Sequence, residues 1–120
     1  MNLKLALLSI LAANGLAQTP DASYEPLSKA FEALKARDYD SAISLFQKAV
    51  TLSPRRTDIR KNLAYTLLKT GDSDAAREQF GEAMRLEPAD LHLALEYAFL
   101  CYEARDDAPA RKTGTQETKP

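Results

Sequence analysis

Apolar residues recur along this chain at spacings of three and four, in stretches separated by short polar breaks. Leu63, Ala64, Leu67 and Leu68 form one such stripe, and Ala76, Phe80, Ala83 and Met84 form another. Each stripe puts its apolar side chains on one face of an amphipathic helix. The pattern predicts first helices over Ser23–Ala36, Thr57–Thr70 and Leu91–Ala104, and a second helix over Ser73–Leu86. Gly71-Asp72 lies between two of these, supplying a left-handed residue that ends one helix and a carboxylate that caps the next. The stripes also repeat. Ala42, Phe46, Ala49 and Pro54 return as Ala76, Phe80, Ala83 and Pro88, each 34 positions later. Ala30, Ala64 and Ala98 keep the same interval, as do Phe31, Tyr65 and Phe99.

A period of this length marks an array of one supersecondary unit, here a helical hairpin. Small residues at the helix crossing allow close backbone approach, a Phe fills the space beside them, and each Pro stands just past a helix end. The spacing and residue types resemble the tetratricopeptide repeat. That resemblance implies an all-α fold: a right-handed superhelical array of antiparallel helix hairpins, with two full repeats plus a partial third. The repeats fall at 23–56 and 57–90, followed by a partial unit at 91–105 holding one first helix. Several positions depart from the family pattern. The usual early aromatic is replaced by Pro26, Arg60 and Ala94, and the usual Leu-Gly pair reads Lys29-Ala30, Leu63-Ala64 and Tyr97-Ala98. The hairpin Gly survives only at Gly71, with Arg37 and Arg105 in the outer units, where a non-glycine residue strains the backbone.

The third unit departs furthest. Ala110 is in register, but Gly114 and Glu117 stand where Phe and Ala are expected. Residues 106–120 hold Pro109, Gly114 and several Thr, Lys and Glu without an apolar stripe, a composition expected to be a disordered polar tail. Leu91–Ala104 is apolar nearly all round, which calls for cover on more than one side. The expectation is self-association, a homo-oligomer through the helix holding Phe99 and Tyr102, or a partner seated there.

Composition fits a small helical protein: 45% apolar, 28% charged and without Trp. Sixteen basic and 17 acidic residues give a net charge of -1. No basic stripe suggests phosphate neutralisation, so nucleic acid is not an expected partner. The N-terminus reads differently from the rest. Lys4 precedes an apolar run from Leu5 to Leu16, and Gly15-Leu16-Ala17 offers small residues at the positions a signal peptidase inspects. Residues 1–17 are expected to be a signal peptide cleaved after Ala17, with 18–22 a short linker and a periplasmic or secreted destination. The run is short for a bilayer span, and membrane anchoring by an uncleaved segment is the alternative.

Candidate chemistry is sparse. Cys101 is the single cysteine and cannot close an internal disulfide; it reads as a small buried thiol, with a reactive or intermolecular thiol as the alternative. His92 has no second His or Cys at ligand spacing, so no metal site is expected. Asp38 and Asp40, then Asp72 and Asp74, recur at the starts of second helices and read as caps. No residue set supplies acid, base and electrophile together; neither enzyme activity nor a cofactor is expected.

What the resemblance does imply is a surface, because stacked hairpins of this family line a concave groove with their first helices. In that register the groove holds Leu27, Phe31, Leu34 and Lys35, then Lys61, Asn62, Tyr65, Leu68 and Lys69, then Leu95, Phe99, Tyr102 and Glu103. An apolar, aromatic groove edged by Lys suits a protein or peptide segment whose apolar side chains insert while its carboxylates meet the rim. The same row could instead pack between units. A carboxylate clamp of the kind some family members use is not expected, since among its positions only Asn62 matches and Leu27, Phe31, His92 and Glu96 do not. The leading expectation is an exported scaffold or assembly module of the cell envelope that binds a partner segment. A truncated structural fragment of a longer repeat protein and an accessory non-catalytic domain of an enzyme or transporter complex are the alternatives.

Overall fold

The computed structural model describes residues 21–116, with side chains through Arg105. The expected signal segment therefore lies outside the described residues. Five helices follow one another: α1 Tyr24–Lys35, α2 Tyr39–Leu52, α3 Thr57–Lys69, α4 Ser73–Leu86 and α5 Leu91–Gln116. The described residues hold no strand.

The two hairpin turns are built alike. After α1, the N–H of Asp38 donates to the Ala33 carbonyl at 2.9 Å and that of Arg37 to Leu34 at 2.9 Å; after α3, Asp72 donates to Leu67 at 3.0 Å and Gly71 to Leu68 at 3.1 Å. This paired closure needs one left-handed residue. Gly71 takes it at φ 82°, and Arg37 takes it at φ 58° despite its Cβ. The next residue then starts the second helix. Asp38 accepts from the N–H of Ser41, and Asp72 from that of Ala75. Pro54 and Pro88 lie just beyond the ends of α2 and α4, where neither interrupts a helical hydrogen bond.

Extensive packing among the described residues joins only consecutive helices, as expected of a one-dimensional stack. The core contains Ala30, Ala42, Phe46 and Ala49 of the first unit and Ile59, Leu63, Ala64, Leu67, Ala76, Phe80 and Ala83 of the second. Phe46 and Phe80 are wholly buried. At the ends of each unit, Asp21, just before the first, accepts hydrogen bonds from Ser53 and Arg56 near its close, and in the second Thr57 donates to Glu87 at 2.7 Å.

The third unit differs from its sequence reading. No turn follows Ala104, and the described backbone runs as helix through Arg105 to Gln116. Arg105 therefore does not repeat the left-handed turn of Arg37, and 106–116 is helical backbone where composition suggested a disordered tail. Helix-favouring Ala, Arg and Lys residues outnumber the breakers Pro109 and Gly114 in this stretch. Within the unit, Leu93 and Leu100 face the preceding hairpin and are buried, whereas Ala98 is exposed. Its counterparts Ala30 and Ala64 are fully buried.

Candidate functional site

The first helices α1, α3 and α5 carry the row identified from the register, and their side chains fall into two groups. Leu27, Leu34 and Leu68 are half-buried and pack against the core. Phe31 meets Phe46 edge to face with centroids 5.4 Å apart, and Tyr65 meets Phe80 in the same way at 5.1 Å. The two rings keep 39% and 38% of their surface exposed. Each is thus both a wall of its hairpin and part of the outer face. Phe99 has Gly114 in place of the second-helix Phe and is 57% exposed, beside Leu95 at 69% and Tyr102 at 63%. The groove row is therefore half core in the first two units and open in the third.

Two polar links fasten α3 to α5 on this side. The Tyr65 hydroxyl lies 2.8 Å from His92 Nε2, and Lys61 Nζ reaches Asp90 at 3.4 Å. Asp90 also accepts from the backbone N–H groups of His92 and Leu93, capping α5. The Leu93 N–H, then Lys61, hold its carboxyl below the usual range. Burial, then the nearby Glu96 carboxylate, pushes the Tyr65 phenol up, so its hydroxyl stays protonated near neutral pH. Asn62 donates its side-chain N–H to the Asp58 carbonyl. Lys35, Lys69 and Glu103 are exposed at the edge of the row.

Leu34, Tyr39, Asn62, Tyr65, Thr66 and Lys69 line a hollow of about 130 Å³ that spans the first and second units. The register reading found four of these. Tyr39 and Thr66 were missed, because Tyr39 begins a second helix and Thr66 looks like an interior polar residue. No partner for His92 was legible in the sequence, because its bond to Tyr65 depends on a contact 27 residues away that no local pattern carries. A second, larger hollow of about 550 Å³ lies between α4 and α5, beside Arg77, Gly81, Met84, Arg85 and Tyr97. Its two arginines are paired to Asp74 and Glu82. Cys101 is half-buried rather than fully enclosed, and it is a free thiol. No group of three metal-ligating side chains occurs among the described residues, and no described helix is long and apolar enough to cross a membrane.

Stacked helical hairpins with Ala at each crossing and an edge-to-face aromatic pair in each complete unit define a helical-repeat protein, a class that works through its extended surface. Two tetratricopeptide repeat family profiles match the chain, one over residues 33–80 and one over 61–114, and the chain belongs to this family. The second match reaches beyond Ala104, past the point where the four-residue register fails. A solved structure of a MamA mutant is similar with a TM-score of 0.61 and 23% identity, over 86% of this chain and 77% of that one. A second MamA mutant gives 0.62 and 22% identity, over 87% and 59% respectively. At such identities the likeness concerns the fold. No curated protein matches the chain significantly.

Proposed function

We propose that this protein is an exported interaction module that holds an extended or helical segment of a partner protein along its first-helix face, in a scaffold or assembly role in the cell envelope. Membership in a repeat family that generally works by protein–protein interaction supports the coarser part of this reading. The observation that carries the finer part is the uncovered row Leu95, Phe99 and Tyr102, which extends the side of the fold occupied by the Leu34–Tyr65 hollow. Exposed aromatics near one another are the usual anchors of a protein interface. Lys35 and Lys69 give acidic side chains of a partner somewhere to land, while Lys61 is already engaged by Asp90.

Selection from a random-peptide display library tests the reading. Enriched peptides should carry apolar and acidic residues, and Phe99→Ala or Tyr102→Ala should weaken their binding at least about tenfold, roughly 1.4 kcal/mol, without lowering the melting temperature. No enrichment, or binding indifferent to both substitutions, contradicts it. Export rests on the Met1–Ala17 pattern. Mass spectrometry should find the mature chain starting at Gln18, and an intact Met1 in the soluble fraction removes that part of the proposal. The same exposed row favours a second reading, in which another copy of the chain is the occupant. Sedimentation at micromolar concentration would then show a dimer that Phe99→Glu converts to monomer.

A further inference from the structure

The uncovered side of α5 at Ala98 has an occupant within reach. Ala30 and Ala64 hold the same register position as Ala98 and are completely buried in units that possess a second helix. What Ala98 lacks is that helix. The chain also repeats the hinge that would supply it: Arg105-Asp106 stands 68 residues after Arg37-Asp38 and 34 after Gly71-Asp72. Arg37 already shows that an arginine takes the left-handed turn in this fold. Ala110 then falls at the position of the buried Ala42 and Ala76. Pro109 points the same way. In the interior of a continuous helix a proline cannot donate to the carbonyl four residues back and crowds it. Three residues after a cap it lies in the first turn, where N–H groups have no helical partner in any case. The bond that Asp38 takes from the Ser41 N–H has no counterpart at Pro109, so a cap at Asp106 would use the N–H of Ala108, which this kind of cap also accepts.

We propose that the face of α5 bearing Ala98 is a docking site for the chain's own 107–116 segment. The straight α5 is the open state of a hinge at Arg105-Asp106, and in the closed state the segment folds back as the second helix of the third unit. Connection through a two-residue turn gives this segment a large advantage in local concentration over any separate chain. Closure covers Ala98. It leaves Phe99 without a ring beside it, because Gly114 replaces Phe46 and Phe80. The aromatic row on the other flank therefore stays available to a partner in both states.

Disulfide trapping in the full chain tests the hinge. In a Cys101→Ala background, Ala98→Cys with Ala110→Cys places two thiols 12 residues apart. On a straight helix that is about 18 Å, too far for a disulfide, which needs Cα atoms within about 7 Å. The proposal expects an intramolecular disulfide on oxidation, at a rate within about tenfold of an Ala30→Cys with Ala42→Cys control in the complete first unit. Ala98→Cys with Lys112→Cys, whose second thiol would face away from the crossing, should react many-fold more slowly. Pro109→Ala, which removes the obstacle to a straight helix, should slow the Ala98–Ala110 pair several-fold. No disulfide would overturn the proposal, as would equal rates at 110 and 112, which mean an unstructured tail. A disulfide only between chains would also overturn it by assigning the cover to a second copy. So would a rate unchanged by Pro109→Ala, which places the hinge elsewhere.

Discussion

Phe31 and Phe46 stand with ring planes at 84° and centroids 5.4 Å apart, and the pair closes the first hairpin from within. Tyr65 and Phe80 repeat it one unit later at 80° and 5.1 Å. Aromatic pairs at this angle contribute beyond their buried area, and the buried partner differs from the exposed one in what it does. Phe80→Ala should destabilise the fold by about 3–5 kcal/mol, because it empties a fully buried site. Ala64→Leu should cost about 1–3 kcal/mol by overpacking the crossing. Tyr65→Phe keeps the stack and gives up only the bond to His92, so its loss should stay within about 1 kcal/mol. Chemical denaturation of the three variants checks the order. A Tyr65→Phe variant as unstable as Phe80→Ala would mean that the hydroxyl link between units dominates.

The strained turn offers a direct comparison. Arg37 occupies φ 58° where the second unit uses Gly71 at 82°. A left-handed conformation costs a residue with Cβ about 1–2 kcal/mol, and glycine loses part of that advantage to the greater freedom of its unfolded chain. Arg37→Gly should therefore stabilise by about 0.5–1 kcal/mol, and Gly71→Ala should destabilise by about 1 kcal/mol. No heavy atom outside its neighbouring residues lies within 4 Å of the Cβ that Gly71→Ala would add, so its effect reports backbone strain alone. Thermal melts that move the two variants in the same direction would contradict this.

Acid should loosen the polar contacts at the ends of the units. The N–H of Ser23, the hydroxyls of Ser23 and Ser53, and Arg56 hold the Asp21 carboxyl well below the usual range. Arg56 lowers Asp58 and the Leu93 N–H lowers Asp90. The unfolded chain protonates these groups near pH 3.9 while the folded chain keeps them charged to lower pH. The unfolded state then binds more protons, so stability present above about pH 4 is lost as pH falls towards the folded-state values. Melting temperature should be nearly flat from pH 7 to about 5 and then drop. Asp21→Asn should melt below wild type at pH 6, with a gap that begins to narrow only below about pH 4, because the folded carboxyl holds its charge well below that; a gap independent of pH down to about 2 would show that the carboxylate's charge is not what matters.

Much of the fold could be read from the chain because each unit repeats its own evidence. Phe46 and Phe80, Asp38 and Asp72, and the crossing alanines each appear at least twice in register, and the structure puts them in core, cap and crossing. The outer unit was less legible for the same reason. Arg105-Asp106 spells a hinge while the composition up to Gln116 tolerates a helix, and local sequence does not rank two states separated by a single turn. The residues of the proposed groove row lie on the first helices, but their division between core and surface did not follow from the pattern. Whether Phe31 is wall or surface depends on Phe46, and whether Tyr65 is free depends on His92, and both are tertiary facts. Asp90 could have been recognised as a cap, since it is an aspartate immediately before a predicted helix.

The claim that the first-helix face is the binding surface is tested most directly by mapping amide shifts of the isotope-labelled protein as a display-selected peptide is added. The account predicts that the largest shifts cluster at Lys61, Tyr65, Leu95, Phe99 and Tyr102, with α2 little changed. Shifts concentrated on the outer faces of α2 and α4, with Tyr65 and Phe99 unmoved, would contradict it.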